Sequence, residues 1–167
     1  LLDKVDQLII GGGMANTFLF AKGLNVGASL CEKDLADTAR EIMAKAEALG
    51  CEIVLPVDVV LAREFKAGAD CATVAVDKVP DDMMILDVGP ASVRDLTERL
   101  AAGKAVLWNG PMGVFEDSPF DEGTVNVARA AATLTNTGAL TSVAGGGDTV
   151  AALRHAGAVG DFTYVST

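Results

Sequence analysis

Positive charge is scarce in this chain: 13 Lys and Arg stand against 23 Asp and Glu, for a net charge of −10. That balance leaves no basic face, so nucleic acid and anionic membrane surfaces are not expected partners. Histidine is scarcer still. His155 is the only one, and its place at the far end of a helix suits a cation on the helix dipole rather than a site at the helix start. A Ser-His-Asp triad therefore has nothing to build on. Cys31, Cys51 and Cys71 are odd in number, and none lies within metal-ligand spacing of another, a pattern that fits free thiols and a cytoplasmic protein. Leu1-Leu2-Asp3-Lys4 carries no signal-peptide pattern. Long apolar runs are missing too. Ala130 to Gly147 carries no formal charge, but Thr, Asn and Gly interrupt it, which excludes a membrane span.

Glycine, in contrast, is plentiful and placed with a pattern. Half of the 167 residues are apolar and 22% are charged, enough for one folded domain over 1–167. Within it a short strand, three glycines and a helix follow one another twice. The first set is Gln7 to Ile10, Gly11-Gly12-Gly13 and a helix from Met14 to Lys22, closed by Gly23. The second is Leu140 to Ala144, Gly145-Gly146-Gly147 and a helix from Asp148 to Ala156, stopped by Gly157. A backbone without Cβ can take positive φ and lie directly against a ligand. The free N–H groups and positive dipole end of the following helix make such a turn an anion site, phosphate above all. Asp148 has two explanations. It is either a helix N-cap or a ligand of a Mg²⁺ that bridges carboxylate and nucleotide phosphate.

The remaining chain alternates strands and helices. Lys33 to Leu49 is amphipathic, with Leu35, Ala39, Ile42, Met43, Ala46 and Leu49 on one face. Glu52 to Leu55 is a strand, and Val57 to Ala62 with Ala72 to Val76 suggest a strand pair beside the main sheet. Met84 to Val88 is a further strand. Ser92 with Asp95 predicts a capping box for a helix ending at Gly103. Ala105 to Trp108 is a strand, Thr124 to Leu134 a helix, and Phe162 to Ser166 a last strand. The expected fold class is α/β: a single domain with a doubly wound, mostly parallel sheet and helices on both faces, Rossmann-like and three-layered. Ligands of such sheets bind at the carboxyl ends of the strands. Gly11–Gly13, Gly89-Pro90, Asn109-Gly110-Pro111 and Gly145–Gly147 all fall at that edge.

No P-loop is present, and the dinucleotide fingerprint fails because Asn16 stands where its third glycine belongs. The scarcity of nucleophiles suits phosphoryl transfer, which depends on positioning and charge neutralisation. The run from Trp108 to Glu116 (Trp-Asn-Gly-Pro-Met-Gly-Val-Phe-Glu) has two readings. It is a buried tryptophan followed by a turn, or a loop whose Met112, Val114 and Phe115 cover an adenine ring while Glu116 accepts from ribose.

Together with Ile9-Ile-Gly-Gly-Gly-Met-Ala15, Leu55-Pro-Val-Asp58, Asp87-Val-Gly-Pro90 and Gly145-Gly-Gly-Asp-Thr149, that run closely resembles the phosphoglycerate kinase family. The likeness holds in order over essentially the whole chain and is to the C-terminal, nucleotide-binding domain. It implies the substrates and the roles. Gly146, Gly147 and Thr149 would hold nucleotide phosphates, with Gly146 and Gly147 at the catalytic centre and Asp148 at the Mg²⁺. Asn109 and Glu116 would face ribose and nearby phosphates. Gly12, Gly13, Leu30, Gly89, Pro111 and Val114 would line the adenine pocket. The implied reaction is phosphoryl transfer between 1,3-bisphosphoglycerate and ADP, giving 3-phosphoglycerate and ATP in glycolysis, by a protein expected to be monomeric when intact.

The resemblance also implies missing parts. The N-terminal domain that binds phosphoglycerate, the lysine-bearing segment before Leu1, and a glycine-rich turn and helix after Thr167 are expected outside this chain. The chain alone is thus expected to be inactive. Its rivals are a non-catalytic nucleotide-binding module and a dinucleotide-dependent oxidoreductase, the latter disfavoured by Asn16 and by Asp148.

Overall fold

A computed structural model describes residues 1–166. The described residues form eight strands and five α-helices: β1 (Gln7–Ile9), α1 (Gly12–Ala21), α2 (Ala36–Ala48), β2 (Glu52–Val54), β3 (Asp58–Ala62), β4 (Cys71–Ala75) and β5 (Met84–Val88) come first. They are followed by α3 (Pro90–Ala102), β6 (Ala105–Trp108), α4 (Glu122–Asn136), β7 (Thr141–Gly145), α5 (Gly147–His155) and β8 (Tyr164–Ser166). The architecture is the expected mixed α/β one, parallel strands flanked by helices. Pairing divides it into ladders: β1 lies parallel to β2, and β6, β7 and β8 form a parallel three-strand ladder. The strand pair expected beside the sheet is there as β3–β4, antiparallel, and β5 joins it on the other side of β3, also antiparallel.

Local sequence sets most boundaries. The amphipathic stretch from Lys33 begins as a 3₁₀ turn over Lys33–Leu35 and becomes α2 only at Ala36. In α4, Ala128 and Ala131 are fully buried, and such small residues let α4 lie close to α3. The main core is built from Leu96 and Leu100 of α3, Val127 of α4, Leu153 of α5 and Trp108 at the end of β6. Burial of several large apolar side chains at about 1.5–3 kcal/mol each is what holds these layers together. A second cluster seats Phe18 of α1 against Ala36 and Ala39.

The predicted capping box at Ser92 and Asp95 does not form. Helix α3 starts at Pro90 with Gly89 as its N-cap, so Ser92 lies inside the first turn. The cap comes from across the chain. Asp58 accepts from the Ala91 N–H at 2.9 Å and the Ser92 N–H at 2.7 Å, while Asp95 pairs with Arg99 at 3.0 Å. A carboxylate from β3 satisfies two orphan amides and the dipole together, which a local pattern search cannot find.

Candidate functional site

Three helices begin at the edge where the glycine turns lie, and their starts differ. That of α3 is filled by Asp58. At α1, the Gly12 N–H is taken by the Met112 carbonyl at 3.2 Å. At α5, Gly146 is the N-cap with φ +99°, a conformation that favours glycine, and no side chain caps the helix. Gly146, Gly147 and Asp148 are exposed there. Asp148 sits in the first turn of α5 and not at its N-cap, so the capping explanation for it fails. What remains is an exposed carboxylate beside a helix start whose amides face solvent.

The loop from Asn109 to Met112 ties this turn to the first one. The Asn109 side-chain amide donates to the Gly145 carbonyl at 3.0 Å, and the Gly110 N–H donates to Thr149 Oγ1 at 2.6 Å. The Trp108 indole N–H donates to the Gly110 carbonyl, fixing the turn from below. Two residues on, the Met112 N–H donates to Thr124 Oγ1 at 3.0 Å while its carbonyl holds Gly12. Gly11 lies against the same residue: a Cβ there would meet the Met112 side-chain end at 2.4 Å and its Cα at 3.3 Å. Thr149 is 2% exposed and its Oγ1 accepts from the loop, so it braces the turn.

Beside this loop opens a cleft of about 430 Å³, mostly apolar in its lining. Gly12, Gly13, Leu30, Pro111 and Val114, expected at an adenine pocket, all border it. Leu30 is 80% exposed, an apolar side chain left at the cleft rim. Asn16, the residue that breaks the dinucleotide fingerprint, anchors that segment by donating its side-chain amide to the Leu30 carbonyl at 3.1 Å. Phe65, on the β3–β4 connection, also lines the cleft and is 53% exposed. Sequence inspection missed it. The one signal was an aromatic ring set between Glu64 and Lys66, where no core position explains it.

Other expectations fail here. Gly89 is not among the lining residues. A Cβ on it would lie 2.3 Å from Oδ2 of Asp58, so the absent side chain makes room for the α3 cap. Phe115 does not cover the cleft either: it is buried and packs edge-on against the His155 ring, with centroids 6.3 Å apart. Met112 borders the cleft but is largely core. His155 is held at the end of α5 by Asp121 Oδ2 at 2.8 Å. Asn109 and the Gly146–Thr149 turn lie at the other end of the loop from the cleft, and Glu116 is exposed beyond Phe115.

One ionisable group stands out at the cleft floor. Asp87, on β5, is 2% exposed, and burial pushes its carboxyl up to about 7 against two backbone N–H donors, Gly123 and Val88, that favour the charge. Among the described residues no cluster of three or more His, Cys, Asp or Glu could hold a metal ion unaided. A single exposed carboxylate at a helix start fits Mg²⁺ of the kind that arrives with nucleotide phosphates, since that ion keeps waters and takes one or two protein carboxylates. No helix among the described residues is long and apolar enough to cross a membrane.

Residues 1–167 match the phosphoglycerate kinase family. The chain is 65% identical over its whole length to the phosphoglycerate kinase of Azorhizobium caulinodans and 64% identical to that of Xanthobacter autotrophicus, covering 42% of each. Its fold superposes on the phosphoglycerate kinase structure from Coxiella burnetii with a TM-score of 0.95 at 42% identity, covering 42% of that chain. Against the Pyrococcus horikoshii enzyme the TM-score is 0.77 at 28% identity. The chain thus spans about two fifths of the length of the relatives it matches.

Proposed function

Since the chain belongs to the phosphoglycerate kinase family, we propose that it is the part of such a kinase that holds Mg²⁺-ADP or Mg²⁺-ATP. The observation that carries this is the joining of the α5 turn to the apolar cleft by one short loop, Asn109 to Met112. A nucleotide has the matching halves. Its base is flat and apolar on its faces, and suits the cleft bordered by Gly12, Gly13, Leu30, Pro111 and Val114, with Phe65 added. Its phosphates suit the amides of Gly146 and Gly147 at the α5 start. Asn109, bonded to the α5 turn, and the exposed Glu116 are assigned to ribose and the first phosphate. Mg²⁺ bound with the nucleotide would be held by Asp148 and would neutralise charge on the transferring group.

The reaction is then reversible phosphoryl transfer between 1,3-bisphosphoglycerate and ADP, giving 3-phosphoglycerate and ATP, in cytoplasmic glycolysis. These residues supply binding and orientation. The Gly146 and Gly147 amides face the reacting phosphates, and the cleft excludes water from the base. The phosphoglycerate is held elsewhere in a longer, monomeric protein. The chain has too few cations for an anionic acceptor, 13 against 23 acids, and no arginine lies in the Gly11, Gly89, Asn109 or Gly145 turns. A coupled assay with MgATP and 3-phosphoglycerate tests this. The full-length protein should turn over, and residues 1–167 alone, shown to be folded by circular dichroism, should not. An inactive full-length protein would refute the assignment.

A further inference from the structure

Asp87 does not belong to the phosphate turn, yet its surroundings are built around it. Its side chain is almost completely buried at the floor of the cleft. Oδ2 accepts from the Gly123 N–H at 2.8 Å, and Oδ1 from its neighbour Val88 N–H, also at 2.8 Å. Two glycines press against the carboxylate. A Cβ on Gly113 would lie 2.4 Å from Oδ1, and a Cβ on Gly123 would lie 2.3 Å from it. Neither glycine has positive φ, so close approach explains them: the carboxylate lies nearest to both, with the Leu86 carbonyl 2.7 Å from the Cβ position of Gly113 and Val88 Cγ2 2.6 Å from that of Gly123.

The two glycines sit near opposite ends of the segment that carries the cleft wall. Gly113 directly precedes Val114, whose N–H donates to the Leu86 carbonyl at 2.9 Å, and Gly123 is in the first turn of α4. Between them run the residues that bear Phe115 and Glu116. Upstream of Gly113 the same segment carries Pro111 at the cleft and Gly110 at the phosphate turn. The carboxylate therefore fastens the α4 start to the end of β5 through the Gly123 N–H and packs against Gly113, whose end of the segment is tied down by the Leu86 carbonyl. No cation faces it. The charged groups turned toward it are Asp121 and Glu122 at the start of α4, both acidic, and His155 of α5 reaches Asp121 instead. Asp58 on β3 is turned away onto α3. An acid kept buried without a countercharge costs stability, and its position at the site gives that cost a purpose.

We propose that Asp87 is a positioning residue for the nucleotide: its carboxylate sets the place of the Gly113–Val114 wall and of the α4 start, and so the width of the cleft that takes the base. This rests on the nucleotide assignment above. It extends to the two glycines, which are part of the same device, so crowding the seat should act like emptying it.

The test is steady-state kinetics on the full-length protein with Asp87→Asn, Gly113→Ala and Leu100→Ala. The last removes buried bulk from α3 at a position that does not line the cleft. Asp87→Asn and Gly113→Ala should each raise KM for ADP about fivefold or more, the scale of one lost hydrogen bond, with kcat changed less than twofold. Leu100→Ala should lower thermal stability with KM for ADP unchanged. Gly113→Ala keeps the buried acid, so it serves if Asp87→Asn does not fold. Wild-type KM in both site variants, or an equal KM rise in Leu100→Ala, would reduce Asp87 to a structural residue. A wild-type protein that does not bind ADP at all would instead overturn the nucleotide assignment, and this proposal with it.

Discussion

The Gly110 N–H donates to Thr149 Oγ1 at 2.6 Å, across 39 positions of chain, and the acceptor is a side chain only 2% exposed. This bond couples the loop bordering the apolar cleft to the first turn of the helix that faces solvent with free amides. Thr149→Val keeps the shape and removes the acceptor. In the full-length protein it should cost about 1–2 kcal/mol of stability, since a part-buried N–H loses its partner. It should also weaken ADP, measured by titration calorimetry. Unchanged ADP affinity would separate the loop from the phosphate turn.

Asp148 is exposed and is not the cap of α5. Asp148→Asn should therefore leave unfolding within about 0.5 kcal/mol of wild type. Its Mg²⁺-dependent turnover should fall about a hundredfold or more, the scale of losing a preorganised charge at the transferring group. Turnover near wild type would remove Asp148 from the metal.

Gly89→Ala should do the reverse. Its Cβ would lie 2.3 Å from a carboxylate oxygen of Asp58, so the α3 cap must shift, at about 1–3 kcal/mol as for other overpacked sites. KM for ADP should stay at the wild-type value. A raised KM with unchanged stability would return Gly89 to the adenine pocket.

Asp87 gives a signed pH dependence. Burial raises its carboxyl from 3.8 to about 7 in the folded protein. The folded state thus holds the proton longer than the unfolded chain does. The stability this contributes is fully present below 3.8 and is lost as pH rises to about 7. Its span is at most about 4 kcal/mol. The melting temperature of wild type relative to Asp87→Asn should fall between pH 4 and 7 and level off above. A difference that is flat across that range would mean the acid is not desolvated in solution.

The sequence revealed some of this design and hid the rest, for physical reasons. The two strand–glycine–helix turns are local: positive φ, free amides and helix stop signals are written in consecutive residues, and both turns stand where they were expected. The alternation of strands and helices likewise gave the fold class. The cap of α3 was misassigned because Ser92 and Asp95 satisfy a local pattern, while the true partner, Asp58, lies 33 positions from Ala91. The place of Phe115 is not legible because a loop sequence does not say which way a ring turns, and this ring is buried beside His155. Phe65 went unnoticed for the same reason. Nothing in the residues next to Gly113 or Gly123 shows that a Cβ at either would meet Asp87.

Titration of the full-length protein with ADP and with adenosine, each with and without Mg²⁺, measures directly whether one nucleotide spans cleft and turn. ADP should bind at a single site, more tightly than adenosine because its phosphates reach Gly146 and Gly147, and Mg²⁺ should strengthen ADP alone. Equal affinities for ADP and adenosine, or an ADP affinity indifferent to Mg²⁺, would contradict the joined site.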